Sequence, residues 1–247
     1  TVQALAKTAD PRNTELLLPV ILDASRPMEL RRSAARALAV TRPGGQALLK
    51  LVEAQQLEPD LVTAVTVPLN AAPWRDVSGR AAKLMPLPAS QDDQPLPPLA
   101  TLLRTRGNSA KGEKLFFSTA TCGNCHVVRG QGKQVGPDLS EIGAKLGRDA
   151  LYEAILYPSA GISHGYESHV VTLANGTVIT GIITSRTDDE FTVKTADALV
   201  RTFQASDIEE VHPQRISMMP ADLQKALSHE DLADVVEFLT TLRPGRR

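Results

Sequence analysis

Cys122-Gly123-Asn124-Cys125-His126 sits in the middle of a 247-residue chain and holds its only two cysteines. Three positions apart, those cysteines are too close in sequence to staple a fold by a disulfide. On a tight turn, two thiols at this spacing can each add to a vinyl group on neighbouring pyrroles. The residue that follows then presents its imidazole to the iron from the same side. A zinc half-site would need two further nitrogen or sulfur ligands at close spacing, and none follows. A thioredoxin-like redox pair would need a βαβ setting, which the flanks lack. The motif therefore reads as the attachment point of one c-type haem. Cys122 and Cys125 are the thioether anchors, and His126 is the proximal iron ligand.

Outward from the motif, the flanks resemble class I cytochromes c. Lys111-Gly112-Glu113-Lys114-Leu115-Phe116 is similar to the first helix of that family, where a small residue and an aromatic let it cross the last helix closely. Gly136-Pro137-Asp138-Leu139 resembles the family's Gly-Pro-x-Leu segment. The resemblance implies that the Pro137 carbonyl accepts the imidazole N–H of His126, orienting it and raising its basicity. It also implies a distal ligand in the form of a methionine directly before a proline, a few residues ahead of the last helix. Ser217-Met218-Met219-Pro220 matches, and Met219 adjoins the proline. A lone methionine is otherwise core filler. Met218 and His164 are the alternatives, His164 because the 161–165 loop leaves the post-haem helix. His169, His212 and His229 read as surface residues.

Periodicity predicts a mainly α chain with an inserted β module. Residues 1–85 form short amphipathic helices: 14–22 broken at Pro19, 28–40, 47–54 after a break at Pro43-Gly44-Gly45, 59–69, and 73–84. Their length and punctuation resemble HEAT-type helix pairs. Five prolines in residues 86–98 mark an extended linker. The haem domain is then expected at 99–247, with helices at 108–117, 149–157 and 230–242, the last N-capped by Ser228 with Asp231 three residues on. Between about 166 and 212 the period switches to two. Asn175-Gly176 predicts a type I′ hairpin, and five short strands suggest a small sheet or SH3-like barrel with a kink at Gly181.

As an ordered set, several pieces of residues 107–247 resemble the haem-binding domain of the Pirellula/Verrucomicrobium type. They are Cys122 to His126, Gly136 to Leu139, Tyr157-Pro158-Ser159, Gly165 to Ser168, Asn175-Gly176, Asp207-Ile208, Ser217 to Pro220 and Asp231 to Leu239. In that family HEAT-like helices and a β-propeller resembling sugar dehydrogenases commonly precede the domain. The resemblance implies a dehydrogenase or propeller partner.

A formal net charge of −1 and no basic or aromatic stripe argue against a nucleic-acid or membrane-surface binder. No apolar run nears the ~20 residues of a membrane span. Thr1 is neither an initiator Met nor the start of a signal peptide, so a processed chain or fragment is expected. Haem attachment needs reduced thiols and an export-side maturation system, which predicts a periplasmic or otherwise exported location. The expected role is single-electron transfer rather than enzyme catalysis, from a dehydrogenase to a downstream acceptor through a haem ligated by His126 and Met219. Two alternatives remain open: a gas sensor or peroxidase-like enzyme with an open or labile distal site, and a helical scaffold with an accessory haem.

Overall fold

A computed structural model describes residues 12–244; the expectations for residues 1–11 and 245–247 lie outside it. The chain forms two compact units. The first holds the described residues through Ala89 together with Asp93–Thr105, and the second holds Ser90–Asp92 and the described residues from Arg106 onward.

Among the described residues, six helices build the first unit: α1 (Asn13–Leu22), α2 (Met28–Ala39), α3 (Arg42–Glu53), α4 (Pro59–Asn70), α5 (Arg75–Leu84) and α6 (Leu99–Arg104). Helix α2 packs against α1, α3 and α4, and α5 against α3 and α4, so two helix hairpins lie side by side. Leu17, Ile21, Leu38, Leu48, Leu61, Leu69 and Val77 fill the core between them. Arg31 is buried beside this core, its Nε donating to the Ile21 carbonyl at 2.8 Å and Nη2 to Glu58 at 2.7 Å.

Three sequence expectations need correction here. Pro19 does not break its helix but lies inside α1. It sits on the exposed side, where water serves the freed carbonyl, while Leu17 and Ile21 anchor the opposite face. Pro43-Gly44-Gly45 opens α3 instead of interrupting the chain. Thr41 caps it by accepting from the Gly44 N–H, and a proline in the first turn lacks only an N–H that would have been orphaned. Helix α6 joins the first unit rather than opening the haem domain, because Leu99 and Leu102 are wholly buried and it packs on α4. The Pro-rich stretch before it contains only a 3₁₀ turn, Gln91–Asp93.

In the second unit the elements run α7 (Ser109–Phe117), a two-stranded hairpin β1 (Val127–Val128) and β2 (Gln131–Gly132), α8 (Ile142–Lys145), α9 (Arg148–Leu156), five strands, and α10 (His229–Thr241). The strands β3 (Ser168–Leu173), β4 (Val178–Arg186), β5 (Glu190–Lys194), β6 (Val200–Gln204) and β7 (Ile208–Pro213) form one antiparallel sheet of order β6-β5-β4-β3-β7. Strands β6 and β7 are its edges, joined by a 3₁₀ turn and not paired with each other. Val171, Leu173, Ile179 and Val193 form its own small core. Gly181 lets β5 approach, since a Cβ there would lie 2.5 Å from the Lys194 carbonyl oxygen.

The β3–β4 hairpin forms where Asn-Gly predicts it, with a different turn. Gly176 has φ +82 but Asn175 is not left-handed. The Gly176 N–H donates to the Leu173 carbonyl and the Leu173 N–H to that of Thr177. This is a type I turn followed by a left-handed glycine, a three-residue loop rather than type I′. Among the described residues, no helix is long and apolar enough to cross a membrane.

Candidate haem-attachment site

The site is framed by two crossing helices. Asn108 caps α7 by accepting from the Lys111 N–H at 3.0 Å. Ser228 and Asp231 form a reciprocal capping box at the start of α10. The helices meet at Gly112, where a Cβ would lie 1.9 Å from the Asp234 carbonyl oxygen. One turn on, Phe116 and Phe238 pack edge to face with centroids 5.7 Å apart. Lys111 reaches across to Asp231 at 2.7 Å and Asp234 at 3.0 Å, and the Asn108 N–H donates to Asp234 at 2.6 Å.

Helix α7 ends at Phe117, and Thr121 turns the chain through a left-handed φ of 54 into a 3₁₀ turn at Cys122–Asn124. The Cys122 carbonyl accepts from both Cys125 N–H and His126 N–H, which winds the two thiols and the imidazole onto one turn. The downstream loop clamps that turn. The Val135 and Gly136 N–H groups donate to the Cys125 carbonyl, and the Lys133 N–H to that of Gly123. Two glycines make the approach feasible. Gly132 has φ +108, and a Cβ on it would lie 2.2 Å from the His126 carbonyl oxygen. At Gly136 a Cβ would lie 2.5 Å from His126 Cε1.

His126 Nδ1 lies 2.8 Å from the Pro137 carbonyl oxygen. A carbonyl only accepts, so this contact places the proton on Nδ1 and leaves the Nε2 lone pair for a metal. Burial holds His126 below its ordinary 6.5, with the Pro137 bond pulling the other way, so the ring is neutral at pH 7. Burial also pushes the Cys122 thiol up to about 12 and raises Cys125, against the pull of Lys133. Thiols held protonated in this way are poor metal ligands, and at this spacing each can instead form a thioether with a vinyl group. Among the described residues no three His, Cys, Asp or Glu side chains gather to hold a metal. One neutral imidazole beside two thiols at this spacing is a donor set that fits a covalently attached haem.

The structure thus brings Cys122, Cys125, His126 and Pro137 together. Met218 and Met219 lie half-buried on the loop between β7 and α10. There the Ser217 N–H donates to Ser159 Oγ at 3.0 Å, and the Met219 N–H to Ser217 Oγ at 3.1 Å. The His164 side chain is fully exposed at 103%, 3.4 Å from Glu167. His212 is exposed beside Glu210, His229 is half-exposed beside Glu230, and His169 Nδ1 contacts the Glu167 carbonyl.

Sequence reading missed three contributors. Gly136 flanks the imidazole ring, a role hidden behind the neighbouring Pro137 signal. Lys194 of β5 donates to the Gln134 carbonyl at 2.9 Å, tying the sheet to the loop that holds His126. Ser168 opens β3 buried, its hydroxyl donating to the Ile216 carbonyl at 2.6 Å. A lone Lys or Ser carries no sequence signal for such contacts.

No curated protein matches the chain. Residues 109–191 match the family model for cytochrome c. The match runs from α7 through the haem motif into β5, and Met219 and α10 lie beyond it. These residues are thus similar to cytochrome c domains, which implies a covalently bound haem c with its iron and supports haem-based electron transfer.

Proposed function

We propose that the chain is an exported monohaem electron carrier whose iron is ligated by His126 and Met219, and that it passes single electrons from a dehydrogenase to a downstream acceptor. The observation that carries this reading is the His126–Pro137 contact at 2.8 Å, which fixes the tautomer and aims a neutral imidazole. When bound, the haem supplies one Fe(II)/Fe(III) couple. Cys122 and Cys125 hold its edge by thioether bonds, with Gly123 and Asn124 keeping the attachment turn low in bulk. Pro137 maintains the basicity of His126 across both oxidation states. Met219 would hold the iron through its thioether, which would leave no site for a substrate and raise the reduction potential. His/Met ligation is supported by the Met-Pro sequence, the half-burial of Met219, and the surface carboxylate partners of His164, His212 and His229. The helix hairpins of the first unit support the HEAT-like and Pirellula/Verrucomicrobium-type resemblance. That resemblance points in turn to a dehydrogenase or propeller partner and an exported, periplasmic setting.

The test is the visible spectrum of the oxidised and reduced protein beside Met219→Ala. A low-spin spectrum with the far-red band of a methionine–ferric bond, lost in the variant, is expected. A low-spin spectrum untouched by the substitution would move ligation to Met218 where the band is present, or to His164 where it is not. High-spin wild type that binds CO readily would replace electron transfer by sensing or catalysis.

A further inference from the structure

We propose that Ser168 and Ser159 are positioning residues for the distal ligand, and that the five-stranded sheet serves to deliver the Met219 segment. This rests on the His126/Met219 reading. Strands β3 and β7 are the first and last of the inserted sheet, and they pair with each other, His169 opposite Pro213 and Val170 opposite His212. The insertion therefore returns the chain beside its point of departure. Ser168 extends that register by two more bonds. Its carbonyl accepts from the Gln214 N–H at 2.8 Å and its hydroxyl donates to the Ile216 carbonyl at 2.6 Å.

From the helical side, Ser159, just past α9, accepts from the Ser217 N–H at 3.0 Å, and Ser217 accepts from the Met219 N–H at 3.1 Å. The chain is thereby fixed at 214, 216, 217 and 219, immediately before Pro220. Hydrophobic burial does not do this holding, because Ile216 is 69% exposed and both methionines are only half-buried. Ser168, by contrast, is 3% exposed, so the donor of that hydrogen bond is removed from water. A thioether is a weak ligand, and its bond to iron persists only if little chain freedom is lost in making it. Pinning the segment beforehand removes most of that entropy loss.

The experiment is a titration of the ferric holoprotein with imidazole, which competes with the thioether for the sixth position. Ser168→Ala and Ser159→Ala should each raise the apparent imidazole affinity about fivefold, the effect of one hydrogen bond. Met219→Ala sets the upper limit. Ser168→Thr, which keeps the hydroxyl, should stay within about twofold of wild type, and far-UV circular dichroism should be unchanged throughout. Should Ser168→Ala give no holoprotein, Ser159→Ala carries the same test from the other side. Affinities within twofold of wild type in both alanine variants, beside a large rise in Met219→Ala, would overturn the positioning role alone. A wild type that already binds imidazole as tightly as Met219→Ala would instead overturn Met219 ligation, and this assignment with it.

Discussion

Replacing Gly112 by alanine tests the helix crossing on which the haem unit is built. The added Cβ would stand 1.9 Å from the Asp234 carbonyl oxygen and the neighbouring Phe238 Cβ 2.9 Å away. Ordinary contact begins near 3.4 Å, so α7 and α10 must part by about 1.5 Å at this point. Backbone lies on the far side and cannot swing away as a side chain would. Overpacking of this kind costs about 1–3 kcal/mol. Opening the crossing also stretches the Lys111–Asp234 bridge and the Asn108–Asp234 bond, and it loosens Phe116 against Phe238. The helix-propensity gain of alanine offsets only about 1 kcal/mol. With the strained bridge and bond added, a net loss of about 1–2 kcal/mol is expected, or roughly 4–8 °C in the melting midpoint followed at the Soret band. Gly79→Ala is the control. It also lies within a helix, but its Cβ would meet nothing within 4 Å. It should stabilise the first unit by about 0.5–1 kcal/mol. If Gly112→Ala melts with wild type, the two helices do not cross at that residue and the account of the site's frame is wrong.

Gly136→Ala should displace the His126 ring, since its Cβ would lie 2.5 Å from Cε1. Weakening the Pro137 bond lowers imidazole basicity, so a redox titration should give a higher midpoint potential; a fall would count against this geometry. Asp231 is held below its ordinary 3.8 chiefly by the Lys111 hydrogen bond, then by Ser228, with burial opposing. Its folded value is depressed, so its contribution is complete above about pH 4 and is lost as pH falls through the lower folded value. Asp231→Asn should therefore lower stability at pH 7 and flatten the acid limb below pH 4 in denaturant titrations; an unchanged acid limb would dismiss the clamp. Arg31→Ala leaves the Ile21 carbonyl without its donor and a void in the helical core, which should cost about 2–4 kcal/mol. Circular dichroism melts should report that loss, and the haem spectrum should stay as in wild type.

What was legible in the sequence and what was not separates by range. The haem turn could be read because its chemistry is local: two thiols, an imidazole and a proline carbonyl lie within one stretch, and their spacing dictates their geometry. The Ser228–Asp231 capping box and the Asn-Gly hairpin are local in the same way. Local signals still underdetermine their own details. Asn-Gly announces a hairpin, but whether Asn175 adopts a positive φ depends on how many residues the loop must span between paired strands. Pro19 and Pro43 show the converse. As punctuation each suggests a break, yet Pro19 is carried inside a helix by the burial of Leu17 and Ile21, and Pro43 sits where a missing N–H costs nothing. Residues 99–104 look like the start of the haem domain because the prolines before them suggest a boundary, whereas Leu99 and Leu102 choose their unit by burial, which no spacing reveals.

The distal side depends on long-range contacts, and there sequence could offer only candidates. On the proposed His126/Met219 reading, Met219 is suggested by its proline, but nothing in the order of residues says what holds it. The holding groups are Ser159 and Ser168, separated from it by the whole sheet, with residue types too common to stand out. The sheet itself read as an interruption of a cytochrome c pattern. Its topology gives it a different meaning, because strands β3 and β7 are neighbours and the insertion ends beside its start. A long insertion that closes on itself adds little to the effective loop that the distal segment must close. On the proposed His126/Met219 ligation, the proximal ligand is set by short-range chain geometry and the distal one by tertiary pairing. Perturbations at Gly136 should consequently act on the potential through His126, and those at Ser168 on the openness of the sixth position. If the two kinds of substitution produced the same spectroscopic change, this division between a local proximal side and a tertiary distal side would fail.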